Sequence, residues 1–196
     1  QTTRNIVGKT VKLYGVCKAD AMGCGLISIA QTLAHAGIDG LAVSDPADVL
    51  KLRAADIKVP ILLFASTLPD QAADVAALDV IPVIHDFESL TAFAKLKRSV
   101  EIFCKIDSGM GRLGFTEKGW INTISELAAA PQLKLKGLYT HMSKPDDQNV
   151  TADQAACFQR ACQVATSHGF SPFEQMAASS RVILGYPQYH YSAADP

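Results

Sequence analysis

Short apolar runs alternate with amphipathic stretches along almost the whole chain, and this alternation constrains the fold more than any other feature. The apolar runs have the length of strands, and the seven of them are 11–18, 41–44, 61–65, 80–85, 100–107, 135–141 and 175–179. The stretches between them have helical length and spacing, and they are 26–36, 46–54, 69–78, 87–96, 117–130 and 152–168. Strands that alternate with helices of this length predict βα units and a parallel sheet.

Local signals mark where several helices begin and end. Asp45 before Pro46 is typical of a helix start, and Thr151 suggests another before 152–168. Gly37 and Gly169 follow two helices at the position where a left-handed residue is required. The strands are apolar almost throughout, which predicts a sheet covered on both faces. Two arrangements of the sheet fit this α/β pattern: an open doubly wound sheet, or a (β/α)₈ TIM-type barrel with about seven of its eight strands in this chain. Residues 186–196 are expected to be irregular.

Composition excludes several classes of protein. A chain that is 48% hydrophobic and 19% charged can bury a core, so disorder is excluded. The 18 basic and 19 acidic residues argue against a nucleic-acid partner, and no apolar run approaches the ~20 residues of a membrane span. Five cysteines without framework spacing are expected to be reduced thiols, with Cys17 and Cys104 in the core. The histidines show no spacing for a metal ligand set.

Function in a parallel βα fold gathers at the carboxyl ends of the strands. The reactive or ligand-binding residues at these ends are Lys18, Lys105, Asp107, Arg112, His141, Ser179 and Ser180. Several of them would contribute cations or hydroxyl groups. Arg112 and the pair Ser179 and Ser180 are candidates to bind an anion.

Each of these residues also has a structural alternative. A partly buried Lys18 would be driven toward its neutral, nucleophilic form; the structural alternative is a lysine at a strand end that extends its ammonium to water. Arg112 would clamp an anion in its planar fork or pair with a surface acid. Lys105 and Asp107 face the same side of their strand, which is either the barrel interior or the helical layer. His141 would act as a base, a metal ligand or an aromatic plate, or be a satisfied core histidine.

Taken in order, the strand ends resemble the motifs of the alanine racemase family, the fold-type III enzymes that use pyridoxal 5′-phosphate (PLP). Residues 16–25, VCKADAMGCG, resemble the family's VxKADAYGHG, and residues 105–115, KIDSGMGRLGF, resemble KxDTGMxRLGF. Residues 140–142, THM, resemble THF, and residues 178–180, ASS, resemble ANS. Order and spacing match along essentially the whole chain, and the first two motifs are long and specific.

The resemblance implies that residues 1–196 form a PLP-binding barrel domain that lacks the family's C-terminal β-domain. The implied activity is interconversion of the L and D forms of alanine, or of another small amino acid, by a two-base mechanism. The second base would be a tyrosine of the C-terminal domain, supplied by the partner subunit of a homodimer. The resemblance, with the scattered thiols, also implies a cytoplasmic enzyme that supplies D-amino acids such as peptidoglycan precursors.

The resemblance implies roles for individual residues. Lys18 would bind PLP covalently and act as one of the two bases. Arg112 would hydrogen-bond the phenolic oxygen of the cofactor and help to hold the substrate carboxylate, which Met110 would approach through its backbone. Lys105 corresponds to a lysine that can be carbamylated and then orients this arginine. His141 would lie behind the pyridine ring.

The phosphate of PLP would be bound by Ser180, with Ser179 beside it, but three positions depart from the family pattern. Met22 replaces a tyrosine that touches the phosphate, and Cys24 replaces a common histidine. Asp195 falls where the family has an arginine that faces the pyridine nitrogen. A carboxylate there would keep that nitrogen protonated, which leads to the hypothesis of a broadened or altered reaction preference.

Two other functions remain open at this point. One is a different enzyme of the same PLP class, such as an aldolase, dehydratase or decarboxylase. The other is a PLP-binding barrel without the second base. The presence of the family's tyrosine outside this chain would separate a racemase from a carrier.

Overall fold

The computed structural model describes residues 2–64 and 67–196. Within these residues the strands are β1 (Lys12–Val16), β2 (Gly40–Val43), β3 (Ile61–Leu63), β4 (Ile81–Ile84), β5 (Val100–Lys105), β6 (Leu133–Tyr139), β7 (Glu174–Ser179) and β8 (Ala193–Asp195). The helical segments are α1 (Thr2–Val7), α2 (Lys18–Met22), α3 (Leu26–His35), α4 (Pro46–Ala54), α5 (Ala72–Ala77), α6 (Phe87–Ala94), α7 (Glu117–Ala128), α8 (Gln148–Ser167) and α9 (Ser180–Gly185). Short 3₁₀ turns cover Pro69–Gln71 and Pro187–Tyr189.

The strands form a closed parallel barrel in the order β1 to β8, with β8 paired to both β7 and β1. This confirms the predicted (β/α)₈ barrel and excludes the open sheet. The expectation of about seven strands, with an irregular stretch over 186–196, is wrong because β8 lies at Ala193–Asp195. Three residues without a β-branched side chain carry no periodic signal, so pairing with the neighbouring strands defines this strand.

Most predicted helix boundaries agree with the structure. The Asp45 side chain accepts a hydrogen bond from the Ala47 N–H at 2.8 Å and caps α4, as its sequence predicts. Gly37 and Gly169 have φ values of 79° and 86°, which confirms both as left-handed residues after a helix.

The start predicted at Thr151 is wrong, because α8 begins at Gln148, four residues before the predicted first helical residue. Asp147 is the capping residue, and its carboxylate accepts hydrogen bonds from the N–H groups of Asn149 and Val150. The strand expected over 61–65 spans Ile61–Leu63, and Ala65 lies outside the described residues.

The core consists of two apolar layers separated by the strands. The larger layer joins outward-facing strand residues to the helices. The smaller layer fills the barrel and contains the buried residues Tyr14, Ala42, Leu62, Ile81, Val83, Phe103, Tyr139, Met176 and Ala193. Its rings of Tyr14 and Phe103 meet edge to face at 6.0 Å. The barrel is therefore a packed core and not a pore, as expected of this fold.

Among the described residues, no helix combines the length and apolar character needed to cross a bilayer. Their His, Cys, Asp and Glu side chains form no group of three or more suited to a metal ion. Cys17 and Cys104 are buried, as predicted, whereas Cys24 is exposed.

Candidate active site

A cavity of about 470 Å³ opens at the carboxyl ends of the strands. It is lined by six of the predicted site residues, which are Lys18, Lys105, Arg112, His141, Ser179 and Ser180. Met110 is half-buried on the loop that carries Arg112 and lies outside the lining. The role expected for the Met110 backbone therefore stays a prediction.

The segment after β1 is a turn of left-handed helix. Ala19 to Met22 have φ values between 52° and 58°, although none of them is glycine. Each such residue costs about 1–2 kcal/mol, so tertiary contacts must hold the turn. One of these contacts is the Asp20 carboxylate, which accepts a hydrogen bond from the Leu26 N–H at 2.8 Å at the start of α3.

This turn fixes the position of Lys18, which begins it. Of the two alternatives that the sequence left open for Lys18, the structure shows the exposed one, with the side chain at the mouth of the cavity. The reason is that β1 ends at Val16, so Lys18 lies beyond the strand and above the packed interior.

The loop after β5 folds back, so that its last residues bond to the residues where it begins. The Asp107 carboxylate accepts hydrogen bonds from the N–H groups of Gly109 and Gly111, and the Phe115 N–H donates to the Lys105 carbonyl at 2.8 Å. Gly114 lies at the closure with a φ of 120°, and a Cβ there would lie 2.8 Å from the Asp107 nitrogen. This folded loop presents an exposed Arg112 to the cavity. The predicted tight Ser-Gly turn is therefore part of a larger closed loop.

Lys105 is the buried lysine of the cavity, with 5% of its surface exposed. It faces the barrel interior, one of the two alternatives left open by the sequence, and its Nζ lies 3.9 Å from the centroid of the Tyr139 ring. Burial lowers the pKa of the Lys105 ammonium to about 8, with the charge of Asp195 opposing this shift and that of Arg112 adding to it. The amine is therefore mostly protonated near pH 7 but has a larger neutral fraction than an exposed lysine.

Two rings from β6 and the segment after it form one wall of the cavity. Tyr139 stacks on Phe64 with ring centroids 5.0 Å apart, and its hydroxyl lies 3.4 Å from His141 Nδ1. Burial, followed by the charges of nearby lysine and arginine side chains, lowers the pKa of His141 to about 4. The imidazole is therefore neutral at physiological pH and presents an uncharged aromatic face.

Asp195 is the acidic residue of the cavity lining. Only 6% of its surface is exposed, and among the described residues its Oδ1 atom has no hydrogen-bond partner. Burial raises the pKa of this carboxyl to about 7, while the charge of Lys105 and the nearby Tyr139 hydroxyl act in the opposite direction. The Asp195 carboxyl thus lies near hydrogen-bond donors, while its Oδ1 atom accepts no hydrogen bond from the described residues.

The remaining lining residues set the polarity of the rim. Ser179 ends β7 and Ser180 begins α9, so their two hydroxyl groups lie at a strand-to-helix junction. Met22 also lines the cavity and is 64% exposed, but it has no hydroxyl to donate. The contributions of Tyr139 and Phe64 were not predicted. Residues two apart along a strand lie on the same face. Tyr139 could therefore have been identified from the predicted position of His141 in the cavity.

The chemistry of this cavity suits an anionic ligand that also carries one donor group. Lys18, Arg112 and the two serine hydroxyls donate hydrogen bonds or positive charge from the rim. The buried carboxyl on β8 accepts. A small amino acid or a phosphorylated heterocycle has this combination of groups.

Comparison with known proteins agrees with this geometry. The family model described as the alanine racemase N-terminal domain matches residues 1–196. An alanine racemase of Sorangium cellulosum is 35% identical over 195 residues, covering 94% of this chain and 52% of that protein. A serine/alanine racemase of Enterococcus gallinarum is 31% identical over 205 residues, covering 100% of this chain and 28% of that protein.

Solved structures show the same relationship. The alanine racemase of Corynebacterium glutamicum matches with a TM-score of 0.91 and 26% identity, over 99% of this chain and 56% of that one. The alanine racemase of Clostridium difficile 630 in complex with cycloserine matches with a TM-score of 0.93 and 25% identity, over 98% and 55%. The chain thus spans about half the length of the alanine racemases it matches. On these grounds the chain belongs to the alanine racemase family, in which it corresponds to the N-terminal domain.

Proposed function

We propose that the protein carrying this chain is a PLP-dependent racemase that interconverts L- and D-alanine or another small amino acid. The observation that carries the proposal is that Lys18, Arg112, His141, Ser179 and Ser180 all line the same cavity. The names of the relatives, alanine racemase and serine/alanine racemase, support a small amino-acid substrate.

The residues of the cavity fit PLP. The phosphate and phenolic oxygen of this cofactor need donors, which the rim supplies, and its ring nitrogen needs a partner of its own. The buried Oδ1 of Asp195, without a partner among the described residues, supports the presence of a bound group at the floor of the cavity. When bound, PLP supplies an electron sink that stabilises negative charge at the substrate α-carbon.

Lys18 has two tasks in this proposal. Its exposed amine at the mouth holds the cofactor and carries a proton to and from the α-carbon of the substrate. Racemisation needs a base on each face of the planar carbon, so a second base must stand opposite Lys18. We assign this role to a tyrosine of a C-terminal domain, supplied by the partner subunit of a homodimer.

Arg112 binds and orients in this proposal. Its guanidinium presents a planar fork that suits the substrate carboxylate and the phenolic oxygen of the cofactor, and the Met110 backbone adds a contact to the carboxylate. Lys105 lies close enough for the charge of Arg112 to lower its pKa. Because carbamylation requires a neutral amine, the pKa of about 8 favours modification of Lys105, and the resulting anion would orient Arg112.

The other cavity residues hold the cofactor ring and phosphate. A neutral His141 can lie flat behind the ring without the cost of burying a cation. The hydroxyls of Ser179 and Ser180 donate to the phosphate oxygens.

At the level of the whole protein, residues 1–196 form the PLP-binding barrel domain in this proposal. A C-terminal β-domain completes the site in a cytoplasmic homodimer. The coverage of only about half of the Sorangium cellulosum and Corynebacterium glutamicum alanine racemases supports this division.

The first test is chemical trapping. The full-length protein is incubated with PLP, reduced with borohydride and mapped by mass spectrometry, and the pyridoxyl group is expected on Lys18. The Lys18→Ala variant should lose the adduct and lower racemisation by roughly 10³-fold or more. Lys95→Ala, at an exposed lysine after α6, is the matched control and should keep both.

Chiral analysis of alanine and serine after incubation then separates the candidate functions. Equal amounts of the two enantiomers support the racemase. An adduct on Lys18 without racemisation would indicate a carrier, and a decarboxylated, dehydrated or cleaved product would indicate another PLP enzyme. The lack of any adduct on Lys18 would overturn all three.

A further inference from the structure

The buried acid of the cavity has no role in binding a substrate carboxylate or a phosphate. Asp195 lines the cavity with only 6% of its surface exposed, and an ionised carboxylate repels both of these anions. The other predicted ligand-binding groups of the cavity are cations, hydroxyls and a neutral ring. Asp195 therefore matches a different part of the ligand.

The protein itself leaves this acid incompletely paired. Its Oδ1 has no hydrogen-bond partner among the described residues. The nearby Tyr139 hydroxyl and the ammonium of an unmodified Lys105 favour the ionised carboxyl, but the Lys105 Nζ lies over the Tyr139 ring at 3.9 Å. Since buried carboxylates in folded proteins are paired, the free capacity points to a donor that arrives with the ligand.

The chemistry of PLP contains one such donor. Its phosphate, phenolic oxygen and carbonyl oxygen are all acceptors, so only the ring nitrogen, when protonated, can donate to a carboxylate. The substrate ammonium is also a donor, but it must react near Lys18, which is exposed at the mouth, whereas Asp195 lies at the buried floor. Acidic side chains are known partners of this ring nitrogen in PLP enzymes in general.

We infer that Asp195 is a cofactor-contacting residue whose carboxylate accepts a hydrogen bond from the ring nitrogen of PLP and keeps that nitrogen protonated. This inference rests on the proposed binding of PLP in the cavity. A protonated ring withdraws electrons more strongly than a neutral ring, so Asp195 would widen the range of reactions that the site supports at the α-carbon.

The protonation state of the ring can be measured without any turnover. The full-length protein is loaded with PLP that carries ¹⁵N in the ring, and the ¹⁵N chemical shift is recorded by NMR. The wild-type shift is expected to be that of a protonated pyridinium, and Asp195→Asn, which keeps the shape but not the charge, should give the shift of a neutral pyridine. Asp153→Asn, at an exposed acid on α8, is the matched control and should keep the wild-type shift.

A second measurement does not depend on NMR. The wild type is expected to bind PLP roughly tenfold to a hundredfold more tightly than an analogue in which a C–H group replaces the ring nitrogen. Asp195→Asn should lose most of this preference, and Asp195→Ala should lose it completely if it folds.

Two outcomes would overturn the inference alone: a neutral ring nitrogen in the wild type, or the same shift and the same preference in Asp195→Asn. Both would be observed with the borohydride adduct still present on Lys18. If no adduct forms on Lys18 with either PLP or the analogue, the proposed function fails, and the inference fails with it. The adduct thus distinguishes the two failures.

Discussion

Two lysines share the cavity, and the sequence left the burial of each of them open. Lys18 is exposed, whereas Lys105 is buried and has a pKa of about 8. Lys105 lies on an inward position of β5, whereas Lys18 follows the end of its strand. Apolar runs reveal which segments are strands, but not how far each strand extends into the packed interior.

His141 is expected to make stability depend on pH. Its folded-state pKa of about 4 lies below the ~6.5 of an unfolded histidine, so between these values the unfolded chain binds the proton first. Stability therefore falls as the pH decreases from 7 to 5. In His141→Gln this fall in the free energy of unfolding should be smaller by about 1 kcal/mol, a value reduced for the partial exposure of the ring.

Urea denaturation of both proteins at pH 7 and pH 5 provides the measurement. The change in the free energy of unfolding from pH 7 to pH 5 is compared between wild type and variant. This comparison cancels the contribution of Asp195, whose raised pKa acts in the opposite direction. An equal loss of stability in wild type and variant would contradict a neutral His141.

At the scale of the element, the turn after β1 is the feature that sequence reasoning could not supply. The motif identifies residues 18–25 as a loop that carries a reactive lysine, but no local preference favours four successive left-handed residues without glycine. The turn exists because contacts such as that of Asp20 with α3 outweigh its local cost. By contrast, the caps at Asp45 and Gly37 were predictable, since each depends only on neighbouring residues.

Glycine at position 19 is expected to relieve part of this cost. Ala19 has φ 52° and ψ 54°, a conformation that glycine adopts without penalty, so Ala19→Gly should raise the free energy of unfolding by up to about 1 kcal/mol. Ala156→Gly, on the exposed face of α8, should lower it by about 1 kcal/mol. Denaturant titrations followed by circular dichroism measure both, and losses of equal size would show that the turn is not strained.

At the scale of the whole molecule, the alternating pattern predicted the barrel, but closure depends on pairs that are distant in sequence. β8 meets β1 through Ala193 with Lys12 and Ala194 with Leu13, a contact that the sequence of β8 does not signal. The site was likewise predictable only in part. The side chains at the strand ends were predictable because parallel strands share one carboxyl edge, whereas the participation of Tyr139 and Phe64 depends on the alternation inside the barrel.

Packing inside the barrel is expected to be intolerant of one added methyl group on β6. A Cβ at Gly137 would lie 2.3 Å from the Phe103 ring and 2.9 Å from the backbone oxygen of Glu174. Gly137→Ala should therefore lower the free energy of unfolding by about 1–3 kcal/mol. Gly185→Ala is the matched control, since a Cβ there meets nothing within 4 Å.

A double-mutant cycle identifies the cause of this loss. Phe103→Leu removes the ring but leaves the backbone contact. The double variant should therefore lose less free energy of unfolding than the two single variants lose in sum. Strictly additive losses of stability would mean that the Phe103 ring does not cause the loss in Gly137→Ala.

The packed interior of the barrel also determines how molecules reach the cavity. Phe103, Met176 and Tyr14 fill the barrel below Lys105 and Tyr139, so the described residues leave no aqueous passage from one end of the barrel to the other. In the proposed function, product and incoming substrate then share the opening beside Lys18. Each proposed cycle would empty the cavity before it is filled again, and the rate of product release would set an upper limit on turnover.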